Sequence, residues 1–97
     1  MHARVVAVQA LPGKTEEAIR IYRDSIMPAA KEQKGFKGAY LLTDPGTGKG
    51  ISVTLWESEA DLKASETSGY YQQQIAKLAP VLAGPPTREV FEVSVGA

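Results

Sequence analysis

The stretch Gly50 to Asp61, GISVTLWESEAD, constrains this chain more than any other. Ile51, Val53 and Leu55 alternate with Ser52, Thr54 and Trp56, the period of two shown by a strand with unlike faces. An acid follows the indole, and Ser58 then opens a helix. Its hydroxyl can accept from a backbone N–H of the first turn, while Glu59 and Asp61 complement the positive end of the helix dipole. The apolar trio is the natural core face, which points Trp56 and two hydroxyls the other way. A small protein places Trp on the second face of a sheet mainly when that face is covered too, and the function turns on what covers it.

The 97 residues suit one domain over 1–97, near the small end of what buries a self-sufficient core. Eleven basic and eleven acidic residues cancel, and no run of like charge stands out. A nucleic-acid footprint needs a clustered basic face, so no nucleic-acid partner is expected. No apolar run approaches the ~20 residues that span a bilayer, and no charged-then-apolar leader opens the chain. The expected setting is cytoplasmic, away from membranes. Without cysteine there is no disulfide or thiolate chemistry.

His2 to Ala10, with Val5, Val6 and Val8, reads as a first strand, and Leu11-Pro12-Gly13 as the turn after it. Thr15 can cap a helix whose first turn holds Glu16 and Glu17. Ile19, Tyr22, Ile26 and Ala30 recur at helical spacing. Pro28 lacks an N–H and clashes with the carbonyl four residues back, which predicts a kink between Asp24 and Pro28. Gly35 is a plausible stop. Phe36 to Thr43 is a second strand, joined to the third by the hairpin Asp44 to Gly50. The helix from Ser58 breaks near Ser68-Gly69, and Tyr71, Ile75, Leu78 and Leu82 form another apolar stripe ended by Pro80 and Gly84-Pro85-Pro86. Thr87 to Val95 alternates as a last strand.

Strand, helix, strand, strand, helix, strand suits an α+β, ferredoxin-like βαββαβ fold: a four-stranded antiparallel sheet with both helices on one face. Ile51, Val53, Leu55, Phe91 and Val93 are expected against the helices. The second face then carries Val6, Val8, Trp56 and Val90, too apolar to stay wet. A homodimer that packs two such faces together covers both at once, with Val90 to Val95 helping to join the partner's sheet.

Here the chain resembles the dimeric α/β-barrel superfamily and, within it, the antibiotic-biosynthesis-monooxygenase-like (ABM) domains. The marks are Pro12-Gly13-Lys14 before a helix with Glu16 and Glu17, the entry Gly35-Phe36, the join Leu55-Trp56-Glu57-Ser58-Glu59, and Leu82-Ala83-Gly84-Pro85-Pro86 before the last strand. The resemblance covers essentially the whole length. It implies two sheets forming a dimeric α/β barrel, and it offers three activities. The first is a cofactor-independent monooxygenase acting on a small planar phenolic or quinone-type compound. The second is a non-catalytic dimer that binds a small hydrophobic ligand or serves a stress response. Haem degradation comes last. Of the family's site residues only the Trp carries over, onto Trp56. Quinone-forming members place Asn where this chain has Ser52; haem-degrading members use a His where it has Glu66 and an Asn near Val6.

Pocket candidates are Trp56, Ser52, Thr54, Tyr70, Arg4 and Val6. Trp56 is either a wall on which a planar aromatic ligand stacks or a packing residue that seals the barrel. As a wall it would tolerate Trp56→Phe with little loss of stability. Tyr70 and Tyr71 point about 100° apart on a helix; Tyr71 fits the apolar stripe, which leaves Tyr70 to present its hydroxyl at a pocket mouth. Arg4, Arg88 and Glu92 share an inward parity that suits an intersubunit salt link or an anion site. His2 is the sole histidine, so no histidine metal cluster forms within one chain, and no metal or cofactor is expected. Its place beside the terminus, where chains fray, makes it a poor base. The glycines of the hairpin lie between strands and do not open a helix, unlike a phosphate cradle. A ligand site is expected between the sheet and the helices' edge, beside the break at Ser68-Gly69.

Overall fold

Val5, Val6 and Val8 make His2–Gln9 a strong strand, β1, and it takes an inner place in the sheet. The computed structural model describes residues 1–97. β2 (Phe36–Asp44), β3 (Lys49–Trp56) and β4 (Thr87–Glu92) complete a four-stranded sheet in the order β2-β3-β1-β4. Every neighbouring pair is antiparallel. With its helices this is the α+β, ferredoxin-like arrangement expected from the element order. β4 stops three residues short of the expected Val95, although the Val93 N–H still donates to Met1 O at 2.8 Å.

The first helix is continuous but not uniform. α1 (Thr15–Ile21) runs into a π-helical turn over Tyr22–Ile26 and then into α2 (Met27–Lys31). The missing N–H of Pro28 and its ring forbid the regular bond to the carbonyl of Asp24, and one wide turn absorbs the conflict. Within it the Met27 N–H donates to Tyr22 O, five residues back. Lys14, not Thr15, occupies the N-cap, and no side chain caps this helix. By contrast Ser58 does cap α3 (Glu59–Thr67), its Oγ accepting from the Asp61 N–H at 3.1 Å. Gly69, at φ +88°, separates α3 from α4 (Tyr70–Leu78) where a break was expected.

The sheet faces are the reverse of the expectation. Arg4, Val6, Val8, Ser52, Thr54 and Trp56 point toward the helices: the Tyr22 hydroxyl lies 2.8 Å from Ser52 Oγ, and Arg4 reaches Ser65 and Glu66 on α3. Ile51, Val53, Leu55 and Phe91 therefore stand on the opposite, uncovered face with Val5, Ala7, Tyr40 and Leu42, as the antiparallel registers require. Tyr40, Leu42 and Phe91 are 60%, 55% and 50% exposed there. Assigning the more apolar face to the core fails because the space under the helices is only partly filled by a core. Tyr22, Ile26, Leu78, Val81 and Leu82 pack that end, with Val8, Ala39 and Leu41 of the sheet against them. The hydroxyl-bearing end is left open.

Candidate active site

The open end is a cleft of about 580 Å³, open mouth included, between β1, β2 and β3 below and the turn Tyr22–Ile26, α2 and α4 above. Val6, Val8, Leu41, Ile26, Ile75 and Leu78 give it a mostly apolar lining. Its polar groups are few: Arg4, Tyr22, Ser52, Thr54, Tyr70, Tyr71 and Gln74. An apolar concavity with a small set of converging polar groups is the usual form of a small-molecule site.

Arg4 is the one charged residue of the lining, and it is only 3% exposed. Its guanidinium lies against two aromatic rings, with Cζ 5.4 Å from the Trp56 centroid and 4.4 Å from that of Tyr71. Nη1 donates to Ser65 Oγ at 2.8 Å and to Glu66 Oε2 at 3.3 Å. Ser65 in turn donates to Leu62 O at 2.6 Å, so its oxygen is free only to accept. Glu66 Oε2 also accepts from Arg88 Nη1 at 2.9 Å. Burial works to lower the pKa of Arg4, and the Glu66 carboxylate opposes it; a guanidinium keeps its charge throughout.

The phenols are all held protonated. Tyr70 is pushed up to about 12 by burial, against the pull of the Arg4 charge. Burial also raises Tyr71, with Arg4 again opposing, and it raises Tyr22, which Ser52 partly offsets through its hydrogen bond. At neutral pH these side chains are donors and not bases. No carboxylate or imidazole lines the cleft.

A profile of the family described as antibiotic biosynthesis monooxygenase matches residues 1–77. The chain belongs to that family. Among curated relatives, Uncharacterized protein Rv2557 of Mycobacterium tuberculosis is 28% identical over 98 residues, covering 97% of this chain and 41% of its own length. Uncharacterized protein Rv2558 of the same organism is 34% identical over 65 residues, covering 67% of this chain and 28% of its own. The chain thus spans less than half the length of the curated relatives it matches. Among solved structures, a monooxygenase from the ActVA-Orf6 gene of Streptomyces coelicolor, in complex with nanaomycin D, superposes with a TM-score of 0.80 at 17% identity, covering 99% of this chain and 89% of that one. A mutant of SnoaB, a cofactor-independent oxygenase from Streptomyces nogalater, gives 0.81 at 11% identity, covering 98% and 94%. At such identities these neighbours establish the fold alone.

In this ABM chain Arg4, Val6, Ser52, Thr54 and Tyr70 meet at one cleft. Trp56 does not line it. The indole is fully buried behind Arg4, donates from Nε1 to Thr54 Oγ1 at 3.0 Å, and meets Phe36 edge to face at 5.7 Å. Arg4 and Arg88 both pair with Glu66 within the chain. His2 is not frayed; it pairs with Trp56 and Glu92 in the sheet, and its Nδ1 is buried without a partner. Tyr22, Tyr71 and Gln74 were passed over as polar members of the site. Their helical spacing hides them among apolar neighbours, and the only signal was that a buried phenol needs a hydrogen-bond partner.

Proposed function

We propose that this protein is a cofactor-independent monooxygenase that oxidises a small planar phenolic or quinone-type compound, working as a homodimer joined through the uncovered sheet face. The cleft carries this reading: an apolar slot whose polar groups gather at one end, in a family named for monooxygenation. Two structural neighbours are described as oxygenases, one of them solved with nanaomycin D.

The chemistry needs no group that this chain lacks. An activated methylene beside a phenol loses its proton to bulk water before binding, and the bound enolate passes an electron to dioxygen. The radical pair combines to a carbon peroxide, which is protonated. Loss of the remaining C–H proton with hydroxide then gives a ketone and one water per dioxygen consumed. The protein's part is to hold the ring, exclude water and supply donors where negative charge develops. Arg4 and the Tyr70 hydroxyl stand at the polar end of the slot for that task, while Ser52 and Thr54 are held by Tyr22 and Trp56. Trp56 acts from behind, as the platform under Arg4.

Oxygen-electrode assays with a panel of anthrones test the proposal. Uptake of one dioxygen per ketone formed, without hydrogen peroxide, is expected, and Tyr70→Phe should slow it roughly 100- to 1,000-fold, the scale of losing one transition-state hydrogen-bond donor. Binding of the same compounds without any uptake would favour a carrier of small hydrophobic ligands. The observation on that side is the absence of a carboxylate or imidazole in the lining. At the haem-degrading members' His position this chain has Glu66, occupied by two arginines.

A further inference from the structure

Three charged groups stand together beside the cleft and do not balance. Arg4 and Arg88 share one oxygen of one carboxylate, that of Glu66, which leaves an excess of one positive charge. The two arginines are not equivalent. The Arg88 side chain is 43% exposed, so water solvates its charge, whereas that of Arg4 is 4% exposed. Arg4 is also incompletely bonded. Nη1 makes both of its hydrogen bonds, and the Nε and Nη2 donors have no partner in the protein, yet neither is sealed from solvent. Those donors belong to the only charged side chain in the lining. The planar fork packs against the rings of Trp56 and Tyr71 and is tied to Ser65 and Glu66, so little ordering is needed when a ligand arrives.

From this geometry we infer that the cleft selects a flat aromatic monoanion, whose carboxylate or ionised enol oxygen takes the two free donors of Arg4 while the rings lie along Val6 and Ile75. A neutral isostere gives up the charge-assisted bonds, which are about twice as strong as neutral ones. A dianion exceeds the available charge. The Glu66 carboxylate sets the strength of this selection, since it neutralises part of the charge that would meet the ligand. The inference rests on the cleft being the substrate site and names the class of substrate admitted there.

Titration calorimetry with two matched pairs tests it. Anthraquinone-2-carboxylate against its carboxamide examines a carboxylate; 2-hydroxy-1,4-naphthoquinone, ionised at neutral pH, against its 2-methoxy ether examines an enolate. The anion of at least one pair should bind tenfold or more tightly than its neutral partner, and the pair that shows the preference identifies the source of the charge. Glu66→Gln is the decisive variant, because it keeps an acceptor for both arginines and removes only charge. It should tighten anion binding several-fold and leave the neutral partner unchanged. Arg4→Gln should erase the preference; if that variant melts early, Arg4→Lys should keep part of the preference while losing its directionality. Equal binding of anion and neutral partner in both pairs, or weaker anion binding by Glu66→Gln, overturns the inference and leaves the cleft as the ligand site. Failure of all four probes to bind overturns the cleft reading along with it.

Discussion

Trp56 has no exposed surface, and its indole N–H is already bonded to Thr54. Replacing it with Phe removes that bond, orphans the Thr54 hydroxyl beside the cleft and leaves a void behind Arg4. Full truncation of a buried Trp costs about 3–5 kcal/mol, and we expect Trp56→Phe to cost about 2 kcal/mol. For a domain of this size that lowers the melting temperature by roughly 8–16 °C, not the few degrees a solvent-facing pocket wall would lose. Calorimetry of the variant decides, and a shift under 3 °C would return Trp56 to the ligand. Tyr70 supports a second expectation, on pH. Its pKa is raised by burial to about 12 from 10.0, so the folded state keeps a proton that the unfolded state releases. Stability is therefore undiminished below pH 10 and falls as pH climbs from about 10 toward 12, and Tyr71 and Tyr22 are shifted in the same direction. Tyr70→Phe should flatten that decline, seen as a smaller drop in urea midpoint between pH 9 and pH 11. These residues were partly legible. Arg4, Ser52, Thr54 and Tyr70 could be placed on one site from strand parity and the helix break. The role of Trp56 could not, because an alternating pattern gives the side of the sheet and not the depth behind a neighbour.

Two glycines with positive φ govern how the helices meet the sheet. At Gly35, φ +79°, a Cβ would overlap the Asp61 side chain back to its own Cβ, so no rotation of the carboxylate relieves it. Gly35 O also accepts from the Glu57 N–H at 2.7 Å, which ties the entry of β2 to the start of α3. Gly69, at φ +88°, faces open space. The left-handed conformation costs a non-glycine residue about 1–2 kcal/mol, so Gly69→Ala should lose that alone. Gly35→Ala should lose about 1–3 kcal/mol more, the usual cost of overpacking. Equal melting temperatures for the two variants would show that Asp61 moves aside freely. The order of elements was readable because each boundary has its own chemistry: Ser58 as a cap, Gly69 as a break, Pro28 as an interruption. That Pro28 yields a π-helical turn at Tyr22–Ile26 was not readable, since a proline inside a helical pattern predicts a disruption and not whether the helix breaks, kinks or widens by one residue.

At the scale of the whole molecule, the two sheet faces carry different obligations. The helix-facing side is part core and part cleft, and it accepts hydroxyls and a guanidinium. The other side holds Val5, Ile51, Val53 and Leu55 with nothing over them, and Tyr40, Leu42 and Phe91 stand half exposed or more. Strand periodicity thus gave the right alternation and the wrong side: the more apolar face of this sheet is not the one its own helices cover. A contiguous apolar face of this kind marks an interface, and a two-fold partner bringing the same face covers both. Sedimentation velocity at micromolar concentration should therefore show a dimer. Leu42→Lys places a charge at a position 55% exposed in the single chain, so it should leave the far-UV spectrum intact and convert the dimer to monomer. Trp56 lies on the helix side and is fully buried there, so its emission should stay blue-shifted in the monomeric variant. A wild-type monomer at that concentration would remove the dimer from the proposal and leave the cleft standing, because the cleft lies on the helix side of the sheet, away from the uncovered face.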